Sequence, residues 1–464
     1  MSGSTVAPSA FVRSTPLPAP FPLPAVAALP GFDPLEGRRI LVLISGSIAA
    51  VKLPLLVSAL AKRGALVRCV LSPSAAQLVS PVALASLSRH PCLLEADAWS
   101  RQASRPLHVE LAEWAELVLL APLSASSLAR WVHGLGDTLL SCVLLACEAP
   151  VVAAAAMNTA MWGSPAVRRN WEMLQGFERV LPLGPAAGLL ACDRVGDGRM
   201  AEPAQQLLAL ESLALHGCRR DWHGRQLLVT AGPTREFLDP ARCLTNPSTG
   251  RMGVLLAQAA RLRGAAVTLL HGPLALDPQL LDGLSCHAIT TAAELEHELE
   301  ARQAGHDAIV MAAAVADHRR AKPLADKPAK HELEALLQGG WEPVPDLLAG
   351  LVRRRQEMRP DGQPILGFAA HSGDVLPQAR AKFARKGCEL LFANPIDQAG
   401  AGFGSVTNQG WLLGPGEAVT PIGPAGKLAV AHRLLDALAV LLPQRPFKPP
   451  GDAPPQDDPV AADP

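Results

Sequence analysis

From about residue 38 the chain alternates short apolar runs with longer amphipathic ones. ILVLI (40–44), ALVRCVL (65–71), ELVLLA (116–121) and PVVAAAA (150–156) read as strands. LPLLVSALAKR (53–63), closed by Gly64, reads as a helix with Pro54 in its tolerant first turn. Strands that are apolar throughout, rather than at every second position, imply a parallel sheet covered on both faces. The rhythm breaks across ESLALHGCRRDWHGR (211–225) and then restarts. QLLVTAG (226–232), AAVTLLHG (265–272), AIVMAAAVAD (308–317), PILGFAA (364–370) and CELLFAN (388–394) predict a second set of strands. GRMGVLLAQAARLR (250–263) predicts a helix after a long Pro/Ser/Thr loop. The expected fold class is α/β, with two tandem doubly wound (Rossmann-like) three-layer domains. Each strand ends in small or polar residues, where open α/β sheets place ligands.

The ends of the chain do not share this pattern. Residues 1–36 are rich in Pro, Ala and Ser, with Arg13 as their one cation and no acid before Asp33. That is too little Arg for a transit peptide and too interrupted for a secretory signal, so a disordered extension is expected. The tail 443–464 is Pro- and Asp-rich and is expected not to pack. Domains are therefore expected over 37–218 and 219–442. Lys and Arg number 42 and so do Asp and Glu, which argues against a nucleic-acid partner or an acidic membrane surface. No apolar run reaches the roughly 20 residues that span a bilayer, so no membrane partner is expected. Nine cysteines without a CxxC pair point to reduced thiols and a cytoplasmic protein.

Chemistry-bearing residues gather in two groups. In the first, RRILVLISGSIAAVK (38–52) runs from a strand through a small-residue turn into a helix, a place where backbone N–H groups approach phosphate. His108, Asn158 in AAAAMNTAMW (153–162) and Cys192 in GLLACDRVGDGRM (188–200) follow in order. On the residues alone His108 serves equally as a cap or a carboxylate partner, and Asn158 as a turn or cap residue. Cys192 serves equally as a small buried hydrophobe, although its Gly- and Asp-rich surroundings suggest an accessible thiol. In the second group the loop TAGPTREFLDPARCLTNPSTGRMG (230–253) ends at a helix N-terminus. AAAVADHR (312–319), Lys327, VPDLL (344–348), LGFAAHS (366–372), Lys382 and Lys386 come after it. Lys382 and Lys386, four apart, are also what a solvated helix face would show.

Taken together, SGSIAAVK (45–52), APLSASSLAR (121–130), AMNTAMW (156–162) and ACDRVGDGRM (191–200) resemble the flavin-dependent phosphopantothenoylcysteine decarboxylases, over about residues 37–210. The resemblance implies FMN as cofactor, with Gly46, Ser47, Ser72 and Ser124 around its phosphate. It implies that His108 assists oxidation and decarboxylation, that Asn158 holds the substrate carboxylate and that Cys192 returns a proton. It also implies a homo-oligomer formed through the flavin domain. Ala155 stands where the family has Pro, and Asp193 where it has Gly after the cysteine.

The second group resembles phosphopantothenate–cysteine ligase over about 222–435. This implies CTP as co-substrate with Mg²⁺, and an acyl-cytidylate formed from 4′-phosphopantothenate before cysteine attacks to give phosphopantothenoylcysteine. Asn246 would polarise the intermediate and Lys327 would stabilise charge during cytidylylation. Asp317, Val344, Pro345, Asp346, Leu347, Phe368, Lys382 and Lys386 would line the nucleotide site. Pro247, Arg251, Val344 and His371 depart from the family pattern. Related flavoproteins that decarboxylate cysteine peptides, prenylate flavin or bind without catalysis are the alternatives; the first two leave the second group unexplained, and the last would be expected to lack Cys192.

Overall fold

The computed structural model describes residues 33–100, 104–189, 195–329, 331, 337–358, 362–415 and 418–443. The apolar runs of the first half form strands β1 (Arg39–Ile44), β2 (Leu66–Leu71), β3 (Cys92–Leu93), β4 (Leu117–Leu123), β5 (Val151–Ala155) and β6 (Val180–Leu183). They pair in parallel in the order β3-β2-β1-β4-β5-β6. Every residue of β4 and β5 is buried, as a sheet covered on both faces requires. The covering helices are α1 (Leu53–Lys62), α2 (Pro81–Ser88), α3 (Leu107–Trp114), α4 (Ala125–Val132), α5 (Leu139–Ala146), α6 (Thr159–Trp162) and α7 (Pro165–Gln175). A separate antiparallel ribbon, β7 (Ala186–Leu189) with β8 (Val195–Arg199), precedes α8 (Pro203–His216).

The second half repeats the arrangement. Strands β9 (Gln226–Ala231), β12 (Ala266–His271), β13 (Ser285–Ala288), β14 (Ala308–Met311), β17 (Ile365–His371) and β18 (Leu390–Pro395) are parallel, in the order β13-β12-β9-β14-β17-β18. By rank in their own half this is again 3-2-1-4-5-6, the order that reverses beside its first strand and opens a ligand crevice there. An antiparallel pair, β19 (Thr407–Leu413) and β20 (Val419–Gly426), extends the sheet. Pro421 and Pro424 are tolerated in β20 because it is the edge strand, with no further ladder to donate to. Helices α9 (Arg251–Leu262), α10 (Ala292–Arg302), α11 (Leu347–Met358), α12 (Val375–Lys386) and α13 (Lys427–Val440) complete this half.

Three expectations are corrected. The run 308–317 does not continue as strand beyond Met311. The N–H groups of Ala313 and Ala316 donate instead to Thr230 Oγ1 (3.0 Å) and Thr234 Oγ1 (3.1 Å), and that of Ala314 to the Gly232 carbonyl. The long loop 230–253 contains an antiparallel hairpin, β10 (Arg235–Asp239) with β11 (Arg242–Thr245). Packing at the N-terminal end begins earlier than 37: Leu35 is fully buried, and Asp33 accepts two bonds from Arg63 at 2.7 Å. A further short pair, β15 (His318–Arg320) with β16 (Trp341–Pro343), follows the redirected segment.

The halves share one apolar cluster, in which Leu208 and Leu213 of α8 join Val254 and Leu256 of α9 and Leu434 and Leu438 of α13. Polar groups close its rim. The rings of His216 and His432 stack at 5.1 Å, and the fully buried Arg263 side chain bonds Asp221 (2.9 Å) and Asp436 (2.8 Å). Among the described residues no helix is long and apolar enough to cross a membrane.

Candidate active sites

The first crevice opens where β1 and β4 part. The buried Ser45 hydroxyl donates to the Pro122 carbonyl (2.7 Å) and accepts from Ser124 N–H (2.9 Å), tying the ends of the two strands together. Gly46 and Ser47 turn the chain out of β1. A Cβ at Gly46 would fall 2.4 Å from the Ser74 Cβ, so only glycine lets the turn approach the loop after β2. Ser72 and Ser124 act first as local caps: the Ser72 hydroxyl accepts from Ala75 N–H (3.2 Å), and the Ser124 hydroxyl from Ser127 N–H (3.4 Å). Ser47 Oγ makes no hydrogen bond among the described residues, which leaves it for a ligand. The crevice is therefore a small-residue cradle of hydroxyls and turn amides, the donor set a phosphate needs.

Asn158 follows β5, beside β4 in the sheet, and is the N-cap of α6. Its Oδ1 accepts from Ala160 N–H (2.8 Å), which fixes Nδ2 as the donating side of the amide. The β7–β8 ribbon lies directly on this segment. Met157 N–H bonds the Gly198 carbonyl (3.0 Å), and a Cβ at Gly198, whose φ is +149°, would meet the Met157 carbonyl at 2.3 Å. Cys192 lies between the two ribbon strands, outside the described residues. His108 is the second residue of α3, half-buried, and α3 leads within two residues into β4. The ribbon base is anchored by Glu202, which pairs with Lys52 (2.7 Å) and Arg199 (3.0 Å).

The second crevice is held by the redirected 312–317 segment. Asn246 Nδ2 donates to the carbonyls of Ala314 (3.2 Å) and Val315 (3.1 Å), while its Oδ1 makes no hydrogen bond among the described residues. The Asp317 carbonyl then accepts from Val344 N–H (2.9 Å), which carries the path to Pro345, Asp346 and Leu347 at the start of α11. Asp346 bonds Lys386 and also accepts from Ala349 N–H (3.1 Å). Burial works against its carboxylate, but these donors outweigh burial and hold its pKa below the usual carboxylate range. Lys382, one turn before Lys386 on α12, donates to the Phe368 carbonyl (3.3 Å). Burial first, and Lys386 second, lower its pKa. Phe368 packs edge-on against Phe392 at 5.5 Å. Burial and Lys382 lower the pKa of His371, which favours the neutral ring at this departure from the family pattern.

Lys327 is set apart from this chain of contacts. It is exposed on a segment strapped to the β10–β11 hairpin, where Leu324 N–H bonds the Leu238 carbonyl (2.9 Å) and Arg242 bonds the Pro328 carbonyl (3.3 Å). The sequence reading missed Lys427 altogether. It is 4 % exposed at the first position of α13, and its ammonium donates to the Gly402 carbonyl (3.2 Å). Burial first, then Arg251 at the start of α9, bring its pKa from 10.5 to about 8. Two helix N-termini and two cations thus converge at this edge, a strong anion field. The one signal in the sequence is Gly426-Lys427, which repeats the Gly250-Arg251 strand-to-helix step.

Two family models match separate parts of the chain. The Flavoprotein family matches residues 32–210, and the DNA/pantothenate metabolism flavoprotein C-terminal domain matches residues 222–441. The coenzyme A biosynthesis bifunctional protein CoaBC of Vibrio vulnificus (strain YJ016) is 37% identical over 414 residues, 88% of this chain and 99% of that protein. Its namesake in Bacillus subtilis (strain 168) is 34% identical over 412 residues, 88% of this chain and 98% of that protein. The Escherichia coli (strain K12) protein of the same name is 36% identical over 381 residues, 81% and 90% of the two chains. With two doubly wound halves, a crevice on each and relatives matched along nearly their whole length, the chain belongs to the family of coenzyme A biosynthesis bifunctional proteins.

Proposed function

We propose that the two crevices divide the family's two activities: ligation of 4′-phosphopantothenate with cysteine in the second half, and decarboxylation of phosphopantothenoylcysteine in the first. The chain is a bifunctional decarboxylase and ligase of coenzyme A biosynthesis. What carries the division is the single connected path from Asn246 through Asp317 and Asp346 to Lys386, Lys382 and Phe368, which lies wholly within the second half.

In the first crevice the small-residue cradle fits a flavin phosphate, held by Gly46 and Ser47, with Ser72 and Ser124 shaping the walls. FMN bound there would supply reversible two-electron chemistry, taking electrons from the cysteine moiety of the substrate and returning them after carbon dioxide has left. Asn158, its Oδ1 committed to the cap, offers Nδ2 to the substrate carboxylate and orients it without the Coulomb attraction a cation would add. His108 assists proton movement at the reacting moiety, and the Cys192 thiol gives the enethiol the proton that accompanies the returning electrons. The exposed apolar side chains Ile48, Val51 and Leu55 beside the cradle favour assembly of this half into a homo-oligomer.

In the second crevice the N–H groups of the 248–250 turn face the carboxylate of the acid substrate, Asn246 Oδ1 accepts from one of its hydroxyl or amide donors, and Lys427 with Arg251 draw its phosphate end. Lys382, Lys386, Asp346 and Phe368 hold CTP, with Asp317 alongside. Lys327 meets the charge of the separating pyrophosphate, and a bound Mg²⁺ would neutralise more of it. The unpaired cysteines among the described residues favour a reducing, cytoplasmic setting.

The test supplies 4′-phosphopantothenate, cysteine, CTP and Mg²⁺ to the FMN-loaded chain and follows products by mass spectrometry. Phosphopantetheine should form, and without CTP neither it nor phosphopantothenoylcysteine should appear. Cys192→Ser should stop at the oxidised enethiol with the flavin reduced; a normal yield from that variant would remove the thiol from the reaction.

A further inference from the structure

One side chain holds both the phosphate turn and the ribbon of the first half. Glu202 Oε1 and Oε2 accept from Lys52 Nζ at 2.7 and 2.9 Å, across 150 positions of the chain, and Oε1 pairs with Arg199 Nη2 at 3.0 Å. Lys52 ends the helical turn Ile48–Lys52, which follows directly on Gly46 and Ser47. Arg199 is the last residue of β8, and its guanidinium reaches over the facing strand: a Cβ at Gly188 of β7 would meet Nη1 at 3.0 Å. Glu202 itself has little freedom. Its side chain is 11 % exposed, and as the N-cap of α8 its carbonyl accepts from Gln206 N–H (3.1 Å).

From Arg199 the path runs on to Asn158. The carbonyl of the adjacent Gly198 takes the Met157 N–H (3.0 Å), and a Cβ at Gly196 would fall 2.9 Å from Thr159 Oγ1. The residues on both sides of Asn158 therefore lie against β8. The sheet already links the phosphate turn to Asn158 through β1, β4 and β5. Lys52, Glu202 and β8 make a second link. Asp282 of the second half adds attraction for Arg199; burial raises the pKa of its carboxyl, and Arg199 is the first charge to oppose that.

We propose that Glu202 is a positioning residue for decarboxylation: bonded to Lys52 and to Arg199, it fixes Asn158 relative to the cofactor turn. This rests on the decarboxylase reading of the first crevice. Misplacing a group by about 1 Å, even through a change far from the chemistry, can cost about 10²-fold in rate. A carboxylate has an acceptor oxygen for each of two cations, whereas a Gln amide has one oxygen and turns N–H donors towards the other cation. Glu202→Gln keeps the volume of the side chain and removes the link.

The test mixes the FMN-loaded Glu202→Gln variant with phosphopantothenoylcysteine under anaerobic conditions and follows flavin reduction, which precedes the proton from Cys192. At saturating substrate, reduction should be about 10²-fold slower than in the parent, with half-saturation within about threefold and with FMN content and CTP-dependent ligation unchanged. Without substrate, the amides of Met157–Trp162 should exchange hydrogen faster than in the parent, a readout independent of turnover. Arg199→Gln should show the same defects, and the double variant should be no slower than the slower single, because both act through one path. If Glu202→Gln does not fold, Arg199→Gln decides by the same readouts. Parental reduction and exchange would overturn the positioning role and leave the decarboxylase reading standing. Loss of FMN from both variants would also overturn it, since Glu202 would then hold the cofactor turn and not Asn158. A parent whose flavin the substrate does not reduce would overturn the decarboxylase reading, and the proposal with it.

Discussion

In the first half, residues 45–47 take the chain from β1 straight into helical turns, whereas in the second residues 232–250 intervene between β9 and α9. The short turn leaves bare backbone and hydroxyls at the strand edge. The groups proposed to react there come from other elements: Asn158 from behind β5, His108 from α3 and the ribbon from before α8. The long insertion does the opposite. It folds into the β10–β11 hairpin, delivers Asn246 onto 314–315 and straps the segment carrying Lys327. One strand order therefore serves two chemistries, because the sheet supplies the crevice and the first crossover decides what lines it.

The sharpest way to break this comparison is to silence one half. His108→Asn should cut decarboxylation by about 10²–10⁴-fold and leave CTP-dependent ligation intact, so that phosphopantothenoylcysteine accumulates. Loss of both activities in a folded variant would show that the crevices are not separate. Next in size is Lys327→Gln. Pyrophosphate release from CTP and 4′-phosphopantothenate should fall about 10²–10³-fold, while a supplied acyl-cytidylate still reacts with cysteine. Release at the parental rate would assign that charge to another cation.

A third variant tests the ribbon. Gly198→Ala places a Cβ against the Met157 carbonyl at a φ of +149°, strain of about 1–3 kcal/mol. Decarboxylation should drop and ligation should not, as read by the two product assays; equal loss would mean the ribbon supports both halves. The smallest effect concerns Lys427→Met. Affinity for 4′-phosphopantothenate should weaken about tenfold, the size of one lost charged hydrogen bond. Stability should move the other way. The folded pKa of about 8 lies below the 10.5 of a free lysine, so the unfolded chain binds more protons between those values and stability rises with pH across that window. The variant should lack that rise in thermal-melt titrations; its persistence would place the burial penalty elsewhere.

Much of this was legible before any coordinates. Apolar runs such as 40–44 and 226–232 are strands because burial on both faces writes itself into neighbouring residues. Asn158 reads as a cap as well as a carboxylate ligand, and the structure shows the capping that orients its amide. The run 308–317 misled because it is apolar almost throughout; beyond Met311 its hydrogen bonds go instead to Thr230 and Thr234, some eighty positions away in the chain. Lys427 left almost no trace, since a lysine after a glycine looks like any exposed helix start.

The sequence by itself determined the two-part α/β plan, the position of the break and the motifs, since all of these are set by local periodicity and spacing. The tertiary structure alone decided which charges lose their water. Lys427 meets Arg251, and Arg261 meets Gln205, only after segments distant in the chain have packed, and burial is a property of the neighbours that folding brings.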